Sequence, residues 1–304
     1  MQKIALFLLL LLLLLGACDM DQEADNIKPP IVAPKLVVLS FISPQAQEHR
    51  VTVTLSNPIF SDYLEESLGN GGHPVVHNAT VVLSDGNREV TLPYDEAQKA
   101  YHVKASALPV EAGKTYFLRV STPDGKQVRS TCTVPAKTNT SINLTALRYQ
   151  EEPVTPNGLD RRYNIDLDWQ DLPGAGDYYR ACADAKISYT TTTSAQEYLS
   201  RISFGGVEEE LIINFANDQN QDGGKFTVKN GEEIVRQDAG QEVRITEIYC
   251  TLLTIDEHYY RYHQYIYKAS VDLFAEPSSP YTNIQGGLGV FAAYNKYVRA
   301  VPVP

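Results

Sequence analysis

The fold class of this chain is decided by the segment Tyr163-Asn164-Ile165-Asp166-Leu167-Asp168-Trp169. Its odd-numbered positions are apolar and its even-numbered positions are polar, which is the two-residue period of a β-strand with one buried face. The same period recurs earlier in the chain, where Val51, Val53 and Leu55 alternate with threonines. The sequence therefore predicts a mainly β protein.

The first part of the chain repeats this pattern between strong turn signals. Asp85-Gly86 is typical of a tight hairpin, and Pro123-Asp124-Gly125 marks a second turn. Cys132 shares an apolar face with Val128 and Val134, so we expect a buried thiol there. Short strands at this spacing, with no helical stretch among them, predict an Ig-like or fibronectin-like β-sandwich over residues 35–136.

A second β-sandwich of the same kind is predicted over residues 137–304, in tandem with the first. Further strands are expected around 211–215, 225–228 and 242–252. A helix is predicted at about 255–274, with Thr254 as N-cap and Glu257 completing a capping box. One face of this helix should pack on the second sandwich through residues spaced three and four apart: Tyr259, Tyr262, Ile266, Ala269 and Leu273.

The N-terminal residues indicate where the protein is delivered. Residues 1–17 combine Lys3 with an apolar run too short to span a bilayer, which is typical of a signal peptide. The run ends in Leu15-Gly16-Ala17-Cys18, which resembles a bacterial lipobox, so Cys18 is the predicted lipid anchor. An ordinary signal peptide with a chance cysteine is the alternative. Residues 18–34, acidic and then proline-rich, are the predicted tether between lipid and body.

Composition excludes several classes of partner. The formal net charge of −11 disfavours nucleic acid and anionic lipid surfaces, both of which attract basic proteins. Beyond Cys18 there are only Cys132, Cys182 and Cys250, so at most one disulfide can form. The chain is therefore not a disulfide-framework protein.

One segment has the spacing of a metal-binding loop. Asp218, Asn220 and Asp222 place oxygen ligands at alternate positions before Gly223, as in the first half of a calcium loop. The twelfth position is Lys229, where a bidentate Glu is needed, so half of the ligand set is missing. A flexible acidic turn is the alternative, and a calcium ion here would be structural.

Aromatic residues supply the candidate interaction surface. The predicted helix carries tyrosines on more than one face, and Tyr260 and Tyr267 are the candidates for contact with a partner. The Gly-rich tail from Asn283 to Phe291 is a second candidate. Core packing is the alternative role for these aromatic side chains.

The sequence contains none of the catalytic motifs that we considered, so it gives no support for an enzyme. The chain has neither a G-x-S-x-G elbow nor an H-E-x-x-H pair. Asp166 and Asp168 occupy even-numbered positions of the predicted strand, so we expect them on its solvated face. We predict no catalytic residues and no cofactor other than the possible structural calcium.

Several of these landmarks together resemble a Bacteroidota outer-membrane lipoprotein family, the domain of unknown function 4249. They are the lipobox, Leu36-Val37-Val38, Gly113-Lys114-Thr115-Tyr116, Asp124-Gly125-Lys126, Trp169-Gln170-Asp171-Leu172-Pro173, Asp177-Tyr178-Tyr179-Arg180, and the tail from Asn283 to Phe291. The resemblance implies a cell-surface lipoprotein and a TonB-dependent receptor as its neighbour. In that group an acidic cluster after Cys18 favours export to the surface, whereas Asp19 in proteobacteria would favour retention in the inner membrane.

The expected function is therefore non-enzymatic. We expect an outer-membrane, lipid-anchored accessory or binding subunit of a TonB-dependent nutrient transporter. The alternative is a free-standing surface lipoprotein that binds glycans or mediates adhesion. This partner inference rests on the family resemblance, because a β-sandwich by itself fixes no function.

Overall fold

The alternating segments of the sequence form β-strands in the computed structural model, which describes residues 33–56, 73–155, 158–204, 214–219, 222–271 and 280–303. The described residues are mainly β and include one α-helix. The strands are β1 (Leu36–Ile42), β2 (Glu48–Leu55), β3 (Thr80–Ser84), β4 (Glu89–Leu92), β5 (Tyr94–Asp95), β6 (Ala100–Lys104), β7 (Thr115–Ser121), β8 (Gln127–Thr133), β9 (Asn143–Thr155), β10 (Gly158–Gln170), β11 (Tyr178–Thr191), β12 (Ala195–Phe204), β13 (Phe215–Asn217), β14 (Lys225–Asp238), β15 (Gln241–Ile255) and β16 (Leu288–Pro302).

Two sheets organise these strands. The larger has the order β5-β6-β2-β1-β16-β15-β11-β12-β14-β10-β9, with β13 paired to β11, and the smaller has the order β4-β3-β7-β8. Lys35–Leu55 and Val75–Pro304 belong to one compact unit. Two main apolar cores lie along the larger sheet, so the architecture is sandwich-like.

The first core lies between the smaller sheet and one end of the larger sheet. Its members come from β1, β2 and β16 on one side and from β3, β7 and β8 on the other. The hairpin predicted at Asp85-Gly86 is confirmed, because Val81 pairs with Leu92 across β3 and β4. Cys132 is a free thiol and 2% exposed, so the predicted burial is confirmed as well.

The second core is enclosed by β10 and β14 on one side and by β11 and β15 on the other. Tyr163, Ile165, Leu167 and Trp169 are all buried, as their parity predicts. The prediction of a solvated opposite face is wrong for Asp168, which is 5% exposed and pairs with Lys225. The reason is that side chains of both neighbouring strands reach over Asp168: Lys225 of β14 pairs with it, and Asn143 Nδ2 of β9 donates to its Oδ1 (3.4 Å).

Strand β16 contributes to both cores. Its first part runs parallel to β1, where Gly289 stands opposite Val38, and its later part pairs with β15. Gly289 has a φ of +104°, and a Cβ there would lie 2.1 Å from Val38 O. Only a glycine at position 289 allows the two backbones to approach this closely. Val290 and Phe291 are fully buried, whereas Gln285 and Gly286 of the same tail are exposed, so a role for the tail in binding a partner stays a prediction.

The described helix, α1, spans Glu257–Val271, within the predicted range. Its cap differs from the prediction: Thr254 lies in β15, and its hydroxyl accepts a hydrogen bond from Asn139 N. Asp256 caps the helix instead, accepting one hydrogen bond from Tyr259 N (2.8 Å) and another from Ala293 N in β16 (2.9 Å). The carboxyl group of Asp256 thus ties the helix N-terminus to β16, the strand that contributes to both cores.

The helix packs on the strands that connect the two cores rather than on the second core alone. Tyr259 is buried, contacts Phe41 of β1 (ring centroids 5.0 Å apart) and accepts a hydrogen bond from Arg180 of β11 (2.7 Å). His263 stacks on Tyr259 at 4.3 Å, and burial lowers the pKa of His263 to about 4. Ile266 was predicted on this face but is 47% exposed, and Leu273 and the side chain of Ala269 lie outside the described residues. No helix among the described residues is long and apolar enough to cross a membrane.

Candidate functional site

A cleft of about 600 Å³ opens where three parts of the chain meet. It is lined by Gly113 and residues 133–137 after β8, by the loop 173–178 between β10 and β11, and by residues 255–257 before α1. Concave surfaces with convergent polar groups are the usual places for ligands. Asp177, Asp256 and Glu257 give this cleft an acidic wall.

A larger concavity of about 740 Å³ lies over β3, β7 and β8. Its two guanidinium groups are already engaged, since Arg119 pairs with Glu89 (2.7 Å) and Arg129 Nε donates to Gln285 Oε1 (2.9 Å). Arg119 is already neutralised by Glu89, whereas the acidic cleft gathers three carboxyl groups against the single Lys137, so we favour the acidic cleft as the candidate site.

Three aspartates gather beside this cleft because three strand ends meet there. Asp171 follows β10, Asp177 precedes β11 and Asp218 follows β13. β11 and β13 pair antiparallel, so the start of one lies beside the end of the other, and Asp218 N donates to Asp177 O (3.2 Å). The loop after β10 is held against β11 by the Tyr179 hydroxyl, which accepts from Leu172 N (3.0 Å).

Glycine amides hold part of this acidic cluster in place. Gly176 N donates to both carboxylate oxygens of Asp218, at 3.0 and 2.9 Å, and Gly223 N donates to Asp171 Oδ2 at 2.8 Å. Asp171 is 4% exposed, and no described donor meets its Oδ1 with hydrogen-bond geometry. One oxygen of each of Asp171, Asp177 and Asp218 lies within 4.8 Å of the others.

Burial and mutual repulsion perturb the carboxyls along the cleft. Burial, and then the charges of Asp171 and Asp218, raise the pKa of Asp177 to about 6. Burial also raises the pKa of Asp256 to about 7, against the opposing effect of the backbone amides of Tyr259 and Ala293. Perturbed carboxyls in a cleft indicate a functional site more often than isolated surface acids do.

The structure places Asp218 and Asp222, two predicted ligands of the calcium loop, in different surroundings. Asp218 joins Asp171 and Asp177, whereas Asp222 is exposed and its Oδ1 accepts from Gly174 N (3.0 Å). Asn220 lies outside the described residues. Sequence reasoning missed Asp171 and Asp177 because each looked like an ordinary strand boundary. The available signal was that acidic residues stand next to the ends of three separate strands.

The predicted interaction tyrosines differ in their surroundings. Tyr260 is partly buried; its hydroxyl accepts from Asn217 Nδ2 (2.8 Å), and its ring lies 5.0 Å from that of Tyr178. Tyr267 is partly exposed near the end of α1. A role for either residue in binding a partner stays a prediction. The lipid anchor Cys18 lies outside the described residues.

Fold and cleft together define a mainly β, sandwich-like protein with an acidic cleft between its strands and its helix. A family model described as Domain of unknown function (DUF4249) matches residues 21–299, and the chain belongs to that family. This match confirms the family that the motifs of the sequence resemble.

Other comparisons add little. The search of curated proteins finds no match. Among solved structures, the chain is similar to the C-terminal globular domain of an oligosaccharyltransferase from Pyrococcus abyssi, with 12% identity over 90% of this chain and a TM-score of 0.13. The match covers 46% of that structure, so this chain spans less than half of its length. At this TM-score the likeness carries no argument about fold or function.

Proposed function

We propose that this chain is a non-enzymatic, lipid-anchored surface protein of an outer membrane, acting as an accessory or binding subunit of a TonB-dependent nutrient transporter. The observation that carries the proposal is the lipobox Leu15-Gly16-Ala17-Cys18, followed by a short acidic and proline-rich segment. Acylation at Cys18 would hold the β-body at the membrane surface, and more than one acyl chain makes such anchoring stable.

The burial and the raised pKa of the cysteine thiols favour a binding protein over an enzyme. Cys132, Cys182 and Cys250 are free and buried, and burial raises the pKa of each thiol. A buried neutral thiol is a poor nucleophile. His102, the histidine with two carboxylate partners, lies between Glu48 (3.1 Å) and Asp95 (3.0 Å). Among the described residues, the ring is hydrogen-bonded to these two carboxylates and to Gln98, and to no serine, threonine or cysteine.

The surface of the second half offers a place for a receptor. Three apolar side chains there have large exposed fractions: Leu199 at 65%, Tyr149 at 61% and Tyr198 at 50%. Tyr198 and Leu199 are consecutive on β12 and therefore point to opposite faces of the sheet, and β12 pairs with β14 at only two described positions near Phe204. Exposed tyrosines beside an open strand edge are suited to contact with another protein. The exposed part of β12 supports the partner proposal better than Tyr260, which is packed against its own neighbours.

We include the finer architecture in the proposal: two Ig-like or fibronectin-like sandwiches in tandem, over 35–136 and 137–304. Tyr116 is fully buried at the start of β7, and its hydroxyl bonds to Pro109 O (3.1 Å) and Glu111 N (2.8 Å). A tyrosine that bonds back to the preceding backbone is a known corner of such sandwiches. Tyr179 makes a related contact in the second half.

The experiment is crosslinking in intact cells followed by affinity purification. The wild-type chain should bring down a large β-barrel receptor in near-equal amount, whereas the double variant Tyr198→Ser, Leu199→Ser should recover much less of it. Phe117→Ser, which changes an exposed side chain on the smaller sheet (41% exposed), is the matched control and should keep recovery unchanged.

Anchoring is tested separately. Cys18→Ser should leave an unprocessed precursor and release the protein from membranes. A variant that stays membrane-bound and of mature size would contradict lipidation. Membrane anchoring with no barrel recovered from the wild type would favour the free-standing glycan or adhesion protein.

A further inference from the structure

We infer that Asp171, Asp177 and Asp218 form a binding site for a hard divalent cation of the calcium type. This inference does not depend on the proposed function, because it rests on side chains of the β-body alone. It also differs from the calcium loop expected from the sequence, since two of the three ligands come from outside that loop.

Distances among the carboxylates fit a single ion. Calcium–oxygen bonds are about 2.3–2.6 Å long, so two ligands on opposite sides of one ion are separated by about 5 Å. One oxygen from each of the three aspartates lies within 4.8 Å of the others. An ion bound among them would therefore reach all three without a rearrangement of the strands that carry them.

An unsatisfied buried oxygen points to the same ligand. Asp171 is 4% exposed; its Oδ2 accepts from Gly223 N, and its Oδ1 has no partner with hydrogen-bond geometry, the Tyr179 hydroxyl being the donor that lies beside this carboxylate. Leaving a buried charged oxygen without a partner is costly in a folded protein. A cation next to the cluster would supply the missing interaction.

The alternative is that these carboxylates only hold loops through backbone amides. That account suffices for Asp218, which accepts from Gly176 N, and for Asp222, which accepts from Gly174 N. It does not explain Asp177, whose carboxylate accepts no described hydrogen bond and is faced by Lys137 without forming an ion pair with it. No described backbone amide donates to the Asp177 carboxylate, which lies beside the negative charges of Asp171 and Asp218.

Ligand chemistry selects the class of cation. Zinc favours histidine and cysteine ligands, and the cluster contains neither. Magnesium keeps most of its water shell and is held by one or two carboxylates, whereas calcium accepts several carboxylates in a flexible geometry. Because Asp177 also lines the cleft, the bound ion would lie at the cleft wall, within reach of an oxygen-rich ligand.

The test is calorimetric titration with calcium chloride on the detergent-solubilised full-length protein, previously stripped with a chelator, together with thermal unfolding. Calcium at about 1 mM should raise the unfolding midpoint by about 4 °C, because an ion that binds only the folded state stabilises it. Magnesium at the same concentration should have a much smaller effect.

Variants identify the ligands. Asp177→Asn and Asp171→Asn should abolish the calorimetric signal and the thermal shift. Asp222→Asn should keep both responses, because an amide oxygen can still accept from Gly174 N. Asp160→Asn, on the opposite end of β10 and paired with Arg236, is the matched control and should also keep both.

Three results would overturn the inference. The first is the absence of any calcium response in the wild-type chain at millimolar concentration. The second is an unchanged response in Asp177→Asn, a variant that removes no described hydrogen bond and is therefore expected to fold. The third is an equal loss in Asp160→Asn, which would mean that calcium acts on the overall negative charge.

Discussion

Tyr116 and Tyr179 occupy corresponding corners in the two halves of the molecule. Each is the second residue of its strand, β7 or β11, and each is fully buried. Each hydroxyl bonds to the backbone seven residues earlier, Tyr116 to Pro109 O and Tyr179 to Leu172 N. In both halves, a hydrogen bond between a buried tyrosine and the preceding backbone therefore holds a loop against a strand.

The surroundings of the two corners differ in charge. Near Tyr116 the acidic residue is Glu111, which is exposed and paired with Lys114 (2.8 Å). Near Tyr179 the carboxylates of Asp171, Asp177 and Asp218 are gathered, and two of the three are buried. The first corner shows that the turn can be closed without buried carboxylates. The cluster at the second corner is therefore more than the fold requires, which is why we assign it a ligand.

The largest expected effect comes from breaking the strand that both halves share. Gly289→Ala places a Cβ against Val38 O and strains a positive φ, so the free energy of unfolding should fall by about 3 kcal/mol or more. Gly240→Ala is the control, since its φ of +80° is similar but nothing lies within 4 Å of its Cβ. Equal losses in the two variants, measured by chemical denaturation, would show that β16 does not approach β1 closely.

The next effect distinguishes the two corners directly. Tyr116→Phe leaves both Pro109 O and Glu111 N without a partner, and we expect a loss of about 2 kcal/mol. Tyr179→Phe removes one described backbone bond, from Leu172 N, and should cost about 1 kcal/mol. Denaturation of both variants measures the difference. A larger loss for Tyr179→Phe would mean that the second corner depends on its hydroxyl more than the first does.

These contrasts also show what the sequence could predict. The hairpin at Asp85-Gly86 and the buried face of β10 depend on neighbours in the chain, so turn residues and strand period predicted both. The pairing of Val38 with Gly289 joins residues at opposite ends of the β-body, and no local pattern encodes it. The helix cap was misplaced because Thr254 and Asp256 both suit an N-cap, and only the end of β15 decides between them.

The candidate site was predicted only in part for the same reason. Asp218 was recognised because its spacing to Asp222 resembled a calcium loop. Asp171 and Asp177 belong to other segments, and they join Asp218 only when β10, β11 and β13 are brought together.

A pH dependence is expected from the junction between helix and shared strand, which has no counterpart at the first corner. The folded protein keeps the Asp256 proton up to a pKa of about 7, whereas the unfolded chain releases it near 3.8. The folded state therefore binds more protons between these values, and stability should fall by at least about 2 kcal/mol as the pH rises from about 4 to about 7.

The matched variant for this slope is Asp256→Ser, which keeps an oxygen at the cap but does not titrate. Thermal unfolding of both proteins across that pH range should show a shallower decline in the variant. Parallel curves would assign the slope to other groups.

The smallest effect concerns repulsion within the cluster. In the absence of added cation at neutral pH, Asp177→Asn should stabilise the chain by about 1 kcal/mol after allowance for solvent screening, because it removes a charge facing Asp171 and Asp218. The corresponding change at the first corner, Glu111→Gln, should alter stability by no more than about 0.5 kcal/mol. A loss of stability in Asp177→Asn would mean that the carboxylate has a structural partner.

Terbium luminescence tests the central claim most directly, because this ion replaces calcium at carboxylate sites and is excited by nearby aromatic rings. Tyr179 and Trp169 pack together in the second core (ring centroids 6.1 Å apart), close to the start of the loop that carries Asp171. We predict terbium emission on excitation of these rings in the wild-type protein, its displacement by calcium, and its loss in Asp177→Asn but not in Glu111→Gln. Emission of equal strength in both variants, or none in the wild type, would contradict a cation site at the second corner.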